Sequence, residues 1–82
     1  IILVNSPIIS IILPMELLEI GQLIKARREY FNMKQEDLAE MSQVGIKTIH
    51  QVETGKGNPT LANLSKLCEV VGLEIKVGVK TI

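Results

Sequence analysis

Aromatic residues are almost missing from this chain: Tyr30 and Phe31 are the whole set, and there is no tryptophan. A core built without them must be aliphatic, and 82 residues suffice for one small domain. A core of that size is modest, and pairing with a second copy would add to it. Cysteine is limited to Cys68, which excludes an internal disulfide and fits a reducing cytosol. Net charge is absent too, because nine Lys and Arg balance nine Asp and Glu. That is not the basic excess typical of a nucleic-acid binder, so any non-specific affinity for DNA is expected to be low. No apolar run reaches the roughly twenty residues that span a bilayer. No catalytic set stands at a usable spacing. His50 is the only histidine and lacks a second metal ligand nearby, and Cys68 with His50 matches no nucleophile motif. Neither an enzyme, nor a cofactor, nor a metal site is expected.

What the chain does have is helical periodicity framed by two apolar ends. Residues 1–14, IILVNSPIISIILP, hold nine Ile, Leu or Val, no charge, and Pro7 and Pro14. The segment lacks the basic start and cleavage site of a signal peptide. Met15 follows at once, so two readings stand level: an upstream in-frame extension, or a native segment whose β-branched content favours a strand. Residues 15–72 form the expected domain. Glu16 to Phe31 is amphipathic, with Leu17, Ile20, Leu23, Ile24 and Phe31 on one side and Glu19, Gln22, Lys25 and Glu29 on the other. Asn32 suits a left-handed stop. Gln35 to Glu53 reads as two short helices with a tight corner. Leu38, Ala39 and Met41 form the apolar side of the first, Ile49 and Val52 that of the second, and small Ala39 permits close crossing. Residues 54–59, TGKGNP, are a loop set by their glycines and proline, without the GxxxxGK pattern of a nucleotide-binding loop. Thr60 caps a helix whose stripe is Leu61, Leu64, Leu67, Cys68 and Val71, and Gly72 ends it. Cys68 reads first as a small buried hydrophobe. Residues 73–82 switch to period two, with Leu73, Ile75, Val77 and Val79 on one face. A lone strand leaves its N–H and C=O groups unpaired, so a two-fold pairing with a second copy is expected, against a frayed tail.

The face opposite Ile49 and Val52 carries Ile46, Lys47, His50 and Gln51, a mixture a DNA major groove accepts. Over Ile20 to Ile75 the chain resembles the helix-turn-helix family of phage Cro and repressor proteins, the XRE family. Within it, VGIKTIHQVETGKGNPTL followed by VGLEIKVGVK looks most like HipB-type antitoxin repressors. The resemblance implies an all-α, lambda-repressor-like bundle of four to five helices with a C-terminal β-strand for dimerisation. It implies a homodimer bound in the major groove of double-stranded DNA on a near-palindromic operator, a cytoplasmic, nucleoid-associated repressor, and a HipA-like toxin kinase as a partner. By position, Ile46, Lys47, His50 and Gln51 would touch bases, and Gln35, Thr48, Lys56 and Asn58 phosphates. Chemistry agrees in part: lysine donates to guanine, glutamine pairs with adenine, and isoleucine meets a thymine methyl. Lys47 can equally serve a phosphate, Gln35 a helix start, and the 54–59 loop a plain turn. Arg28 and Glu53 sit where the family forms an ion pair; the alternative is two ordinary surface charges. Gln43 stands where the family has its corner glycine, and Gly45 where it has a Ser or Thr cap, so the corner is expected to differ. Lys25, Arg27, Arg28 and Lys34 gather early and Lys47 and Lys56 bracket the reading helix, while Glu36, Asp37 and Glu40 lie on its neighbour. The competing class is a protein-interaction module on the same scaffold, supported by the zero net charge.

Overall fold

The computed structural model describes residues 16–79, so the readings of residues 1–14 and of the end of the C-terminal segment lie outside it. Four helices follow one another within the described residues: α1 (Leu17–Tyr30), α2 (Gln35–Ser42), α3 (Ile46–Glu53) and α4 (Leu61–Val71). Their ends are written in the sequence. The Glu16 N–H donates to the Glu19 carboxylate at 3.0 Å, and the Lys34 N–H to Asp37 at 2.8 Å, each the returning half of a capping box. Thr60 Oγ1 accepts from the Asn63 N–H at 3.0 Å at the start of α4. At the other ends Asn32, Gly55 and Gly72 take left-handed backbone, and Met33, Lys56 and Leu73 donate back to the carbonyls of Arg28, Gln51 and Cys68.

The core is aliphatic: Ile24, Leu38, Val44, Ile49, Val52, Leu67, Val71 and Leu73 form one buried cluster together with Cys68. Helix α1 packs on α3 and α4, and α2 packs on both as well. Helices α1 and α3 approach closely at Gly21, and Ala39 is half-buried beside the core. A Cβ on Gly21 would sit 1.8 Å from the Val52 carbonyl oxygen, so only glycine lets the two helices meet there. Burial raises the Cys68 thiol to about 11, which leaves it a packing group and a poor nucleophile.

Several side chains sit differently from their pattern. Met41 is 62% exposed, and Ser42 takes the inward place, donating to the Leu38 carbonyl at 2.6 Å and accepting from the Val44 N–H at 3.2 Å. A hydroxyl can close the corner through hydrogen bonds and a thioether cannot. Leu61 is exposed in the first turn of α4. Phe31 lies past the end of α1, half exposed and edge-on to Tyr30. The guanidinium of Arg27 stands 4.9 Å from the Tyr30 ring and 5.1 Å from that of Phe31, and its Nε donates to the Val71 carbonyl at 3.0 Å. Arg27 therefore closes the C-terminal end of α4, where a cation is favoured. No strand runs through residues 73–79. Among the described residues the tail is irregular apart from a single bridging residue, Ile75. Nor do its four apolar residues share one free face: Leu73 belongs to the core and Ile75 packs against it, while Val77 and Val79 are exposed.

Two substitutions test this packing by urea unfolding. Gly21→Ala is expected to cost about 2–3 kcal/mol through the Val52 clash, despite a helix-propensity gain of about 1 kcal/mol. Gln43→Gly is expected to stabilise by about 0.5–1 kcal/mol, because Gln43 holds φ 63° and glycine relieves that strain at some cost in unfolded-state entropy.

Candidate nucleic-acid interface

The two helices of the corner are joined by Gln43, Val44 and Gly45. Gln43 adopts φ 63° and ψ 26°, so the left-handed corner forms without glycine. Gly45 caps α3 in extended backbone and supplies no side-chain acceptor. The free N–H groups at the start of α3 therefore have no side-chain cap. Val44 is buried and pins the corner to the core.

Below the corner lies a hydrogen-bonded clamp. Arg28 Nε donates to Glu53 Oε2 at 2.7 Å and its Nη2 to Oε1 at 2.9 Å, a two-pronged contact. Arg28 Nη1 donates to the Met33 carbonyl at 2.7 Å. Gln35 Nε2 donates to the same Glu53 Oε1 at 3.0 Å. Both charged side chains are nearly sealed from water, Arg28 at 10% and Glu53 at 3% exposure. The Glu53 carboxylate holds the Arg28 guanidinium above its ordinary value, against the opposing effect of burial. One carboxylate at the end of α3 thus ties together α1, the turn after it and the start of α2. Among the described residues no buried side-chain polar atom is left without a partner.

Above the clamp, α3 turns its outer face to water. Ile46 is 46% exposed, Lys47 and His50 are exposed, and Thr48 and Gln51 are half-buried. Ile49 and Val52 on the opposite side are fully buried, so the helix is anchored on one face and free on the other. Thr48 and Gln51 border a cleft of about 110 Å³, completed by Val52, Asn58, Pro59, Thr60 and Asn63. Asn58 and exposed Lys56 belong to the loop that leaves α3. Gln35 spends one N–H on Glu53, so any contact it makes outward is shared with a bracing role. The structure therefore places Thr48, Gln51 and Asn58 around one cleft, puts Ile46, Lys47 and His50 on the open face beside it, and sets Gln35 on the clamp.

The charge pattern differs from a plain count of cations. Arg28 is consumed by Glu53 and Arg27 by the end of α4. Lys25, Lys34, Lys47 and Lys56 remain exposed, as do Glu36, Asp37 and Glu40. Among the described residues no group of three His, Cys, Asp or Glu is placed to hold a metal, and no helix is long and apolar enough to cross a membrane. Three contributions escaped the sequence reading: that of Gly21, signalled by a glycine inside a helical pattern; that of Ser42, hidden behind Met41; and the packing of Gly57, whose loop N–H was read as suiting a phosphate.

Residues 24–77 match the family described as helix-turn-helix. Among solved structures, the restriction-modification controller protein C.AhdI from Aeromonas hydrophila is 31% identical, covering 71% of this chain and 88% of that one, with a TM-score of 0.65. No curated protein matches the chain.

Removing the clamp's acid is a direct test of its weight. Glu53→Ala strands a buried guanidinium and is expected to cost about 3–5 kcal/mol, a large share of the stability of a small domain, measured by thermal unfolding followed by circular dichroism.

Proposed function

The chain belongs to the helix-turn-helix family, and from that premise we propose that it is a homodimeric, sequence-specific repressor acting on DNA in the cytoplasm. The observation that carries this reading is α3 itself. It is buried on one side, clamped at its end through Glu53, and open on the side bearing Ile46, Lys47, His50 and Gln51. A rigid helix with such a face matches the dimensions and chemistry of a major groove. In this reading Lys47 and Gln51 donate to base edges, Ile46 meets a thymine methyl and His50 lies alongside. Gln35, Thr48, Lys56 and Asn58 hold the phosphates and fix the register.

A near-palindromic operator with half-sites roughly 34 Å apart follows from two such helices about a two-fold axis. Val77 and Val79 are the parts of the C-terminal face left free for a second copy, since Leu73 and Ile75 are engaged at home. Two finer identities divide the field. Similarity to a restriction-modification controller supports a regulator of that type. The VGLEIKVGVK tail supports a HipB-like antitoxin that also binds a HipA-like toxin kinase. We favour the controller type, because its support is a 31% identical structure spanning most of the domain. Co-purification with a kinase encoded beside the gene would reverse that preference.

The test is a titration of the protein against duplexes from its own upstream region, with a scrambled duplex as control. Lys47→Ala and Gln51→Ala are each expected to weaken specific binding about tenfold or more, with unchanged circular dichroism. Log affinity should fall with log salt at only about −1 per subunit, because Lys56 is the one charged side chain assigned to a phosphate. Equal weak binding to both duplexes would instead favour the protein-interaction module.

A further inference from the structure

The Gln51 side chain lies against the loop that follows its own helix. A Cβ built on Gly57 would stand 2.9 Å from Gln51 Oε1, 3.2 Å from its Cδ and 3.3 Å from its Cβ. The contact under 3.0 Å is with the flexible end of Gln51, so the group that would give way is the carboxamide, which occupies space left open because residue 57 is glycine. Gln51 is half-buried there, whereas Lys47 and His50 are exposed. The hydrogen bonds from Lys56 and Thr54 at this helix end take the Gln51 backbone carbonyl rather than its carboxamide.

We propose that Gly57 is a positioning residue for Gln51: the bare Cα of the loop confines the carboxamide to one orientation while its hydrogen-bonding groups stay unspent for a base edge. This rests on the base-reading role of Gln51 given above. A free glutamine surrenders the freedom of three side-chain torsions when it pairs with a base, and a glutamine already confined surrenders less. The same loop carries Lys56 and Asn58, the residues assigned to phosphates. Seating the loop on the DNA backbone would therefore set the height of Gln51 in the groove, coupling register to sequence readout.

The test is a double-mutant cycle. Gly57→Ala and Gly57→Asn both add a Cβ, but asparagine tolerates the φ of +77° far better, so an effect common to both reports the clash and not backbone strain. Each is combined with Gln51→Ala and titrated against a footprinted duplex from the protein's own upstream region and a scrambled duplex. Both variants should weaken specific binding about five- to tenfold, leave the scrambled duplex unaffected, and add no further loss once Gln51 is alanine. An equal loss in both backgrounds would make Gly57 an ordinary loop residue and overturn the proposal, with the repressor reading intact. Unchanged binding by Gln51→Ala alone would remove the base-reading role and the proposal together. In the DNA-free protein, three-bond couplings should show one Gln51 χ1 rotamer in the parent and averaging in Gly57→Asn; averaging already in the parent would also overturn it.

Discussion

The carboxylate of Glu53 is the group on which the arrangement turns. It ends α3, lies almost wholly out of water, and accepts from two nitrogens of Arg28 and one of Gln35. Burying such an ion is costly, and only the completeness of its partners makes it tolerable. Arg28 carries the constraint onward by its third contact, to the Met33 carbonyl just past the end of α1. The reading helix, its partner in the corner and the first helix are therefore fixed together by one small polar cluster beneath an aliphatic core. With only eight residues in α3, tertiary anchoring and not intrinsic helix stability holds its outer face in place.

Close packing does the rest, and it depends on small groups. Gly21 brings α1 against the Val52 carbonyl, one residue before the clamp's carboxylate. Ser42 closes the corner by hydrogen bonding on both sides, and Gln43 accepts a left-handed backbone that glycine would adopt more readily. The cost of aligning the helix is thus carried below the surface, while Lys47, His50 and Gln51 remain free for a ligand. Since Arg27 and Arg28 are occupied by structural contacts, attraction to DNA falls to a few lysines. Specificity in such a protein must come from close fit more than from long-range charge.

Much of this was legible in the chain because local signals agreed. Asn32, Gly55 and Gly72 mark three helix ends, Thr60 marks a beginning, and the Ile49 and Val52 pair marks the buried side of α3. What was hidden depends on tertiary or quaternary partners. Ser42 takes the inward place expected of Met41 because the corner needs a hydroxyl. Phe31 is drawn to Arg27 beyond the helix, and Leu61 extends past the core. The period-two tail spells a strand, yet among the described residues only Ile75 bridges, because alternation alone does not supply the neighbour that a strand requires. The Arg28–Glu53 contact stood open between an ion pair and two surface charges until burial distinguished them. No pattern in the sequence pointed to Gly57 lying against Gln51.

The central claim is that the clamped α3 offers its outer face to DNA, and amide chemical-shift mapping during titration with an upstream duplex tests it most directly. The account predicts saturable shifts concentrated at Ile46 to Gln51, at Lys56 to Asn58 and at Gln35, with Tyr30, Phe31 and Lys66 unmoved. Shifts centred on Tyr30, Phe31 and the far side of α4, with α3 silent, would contradict it.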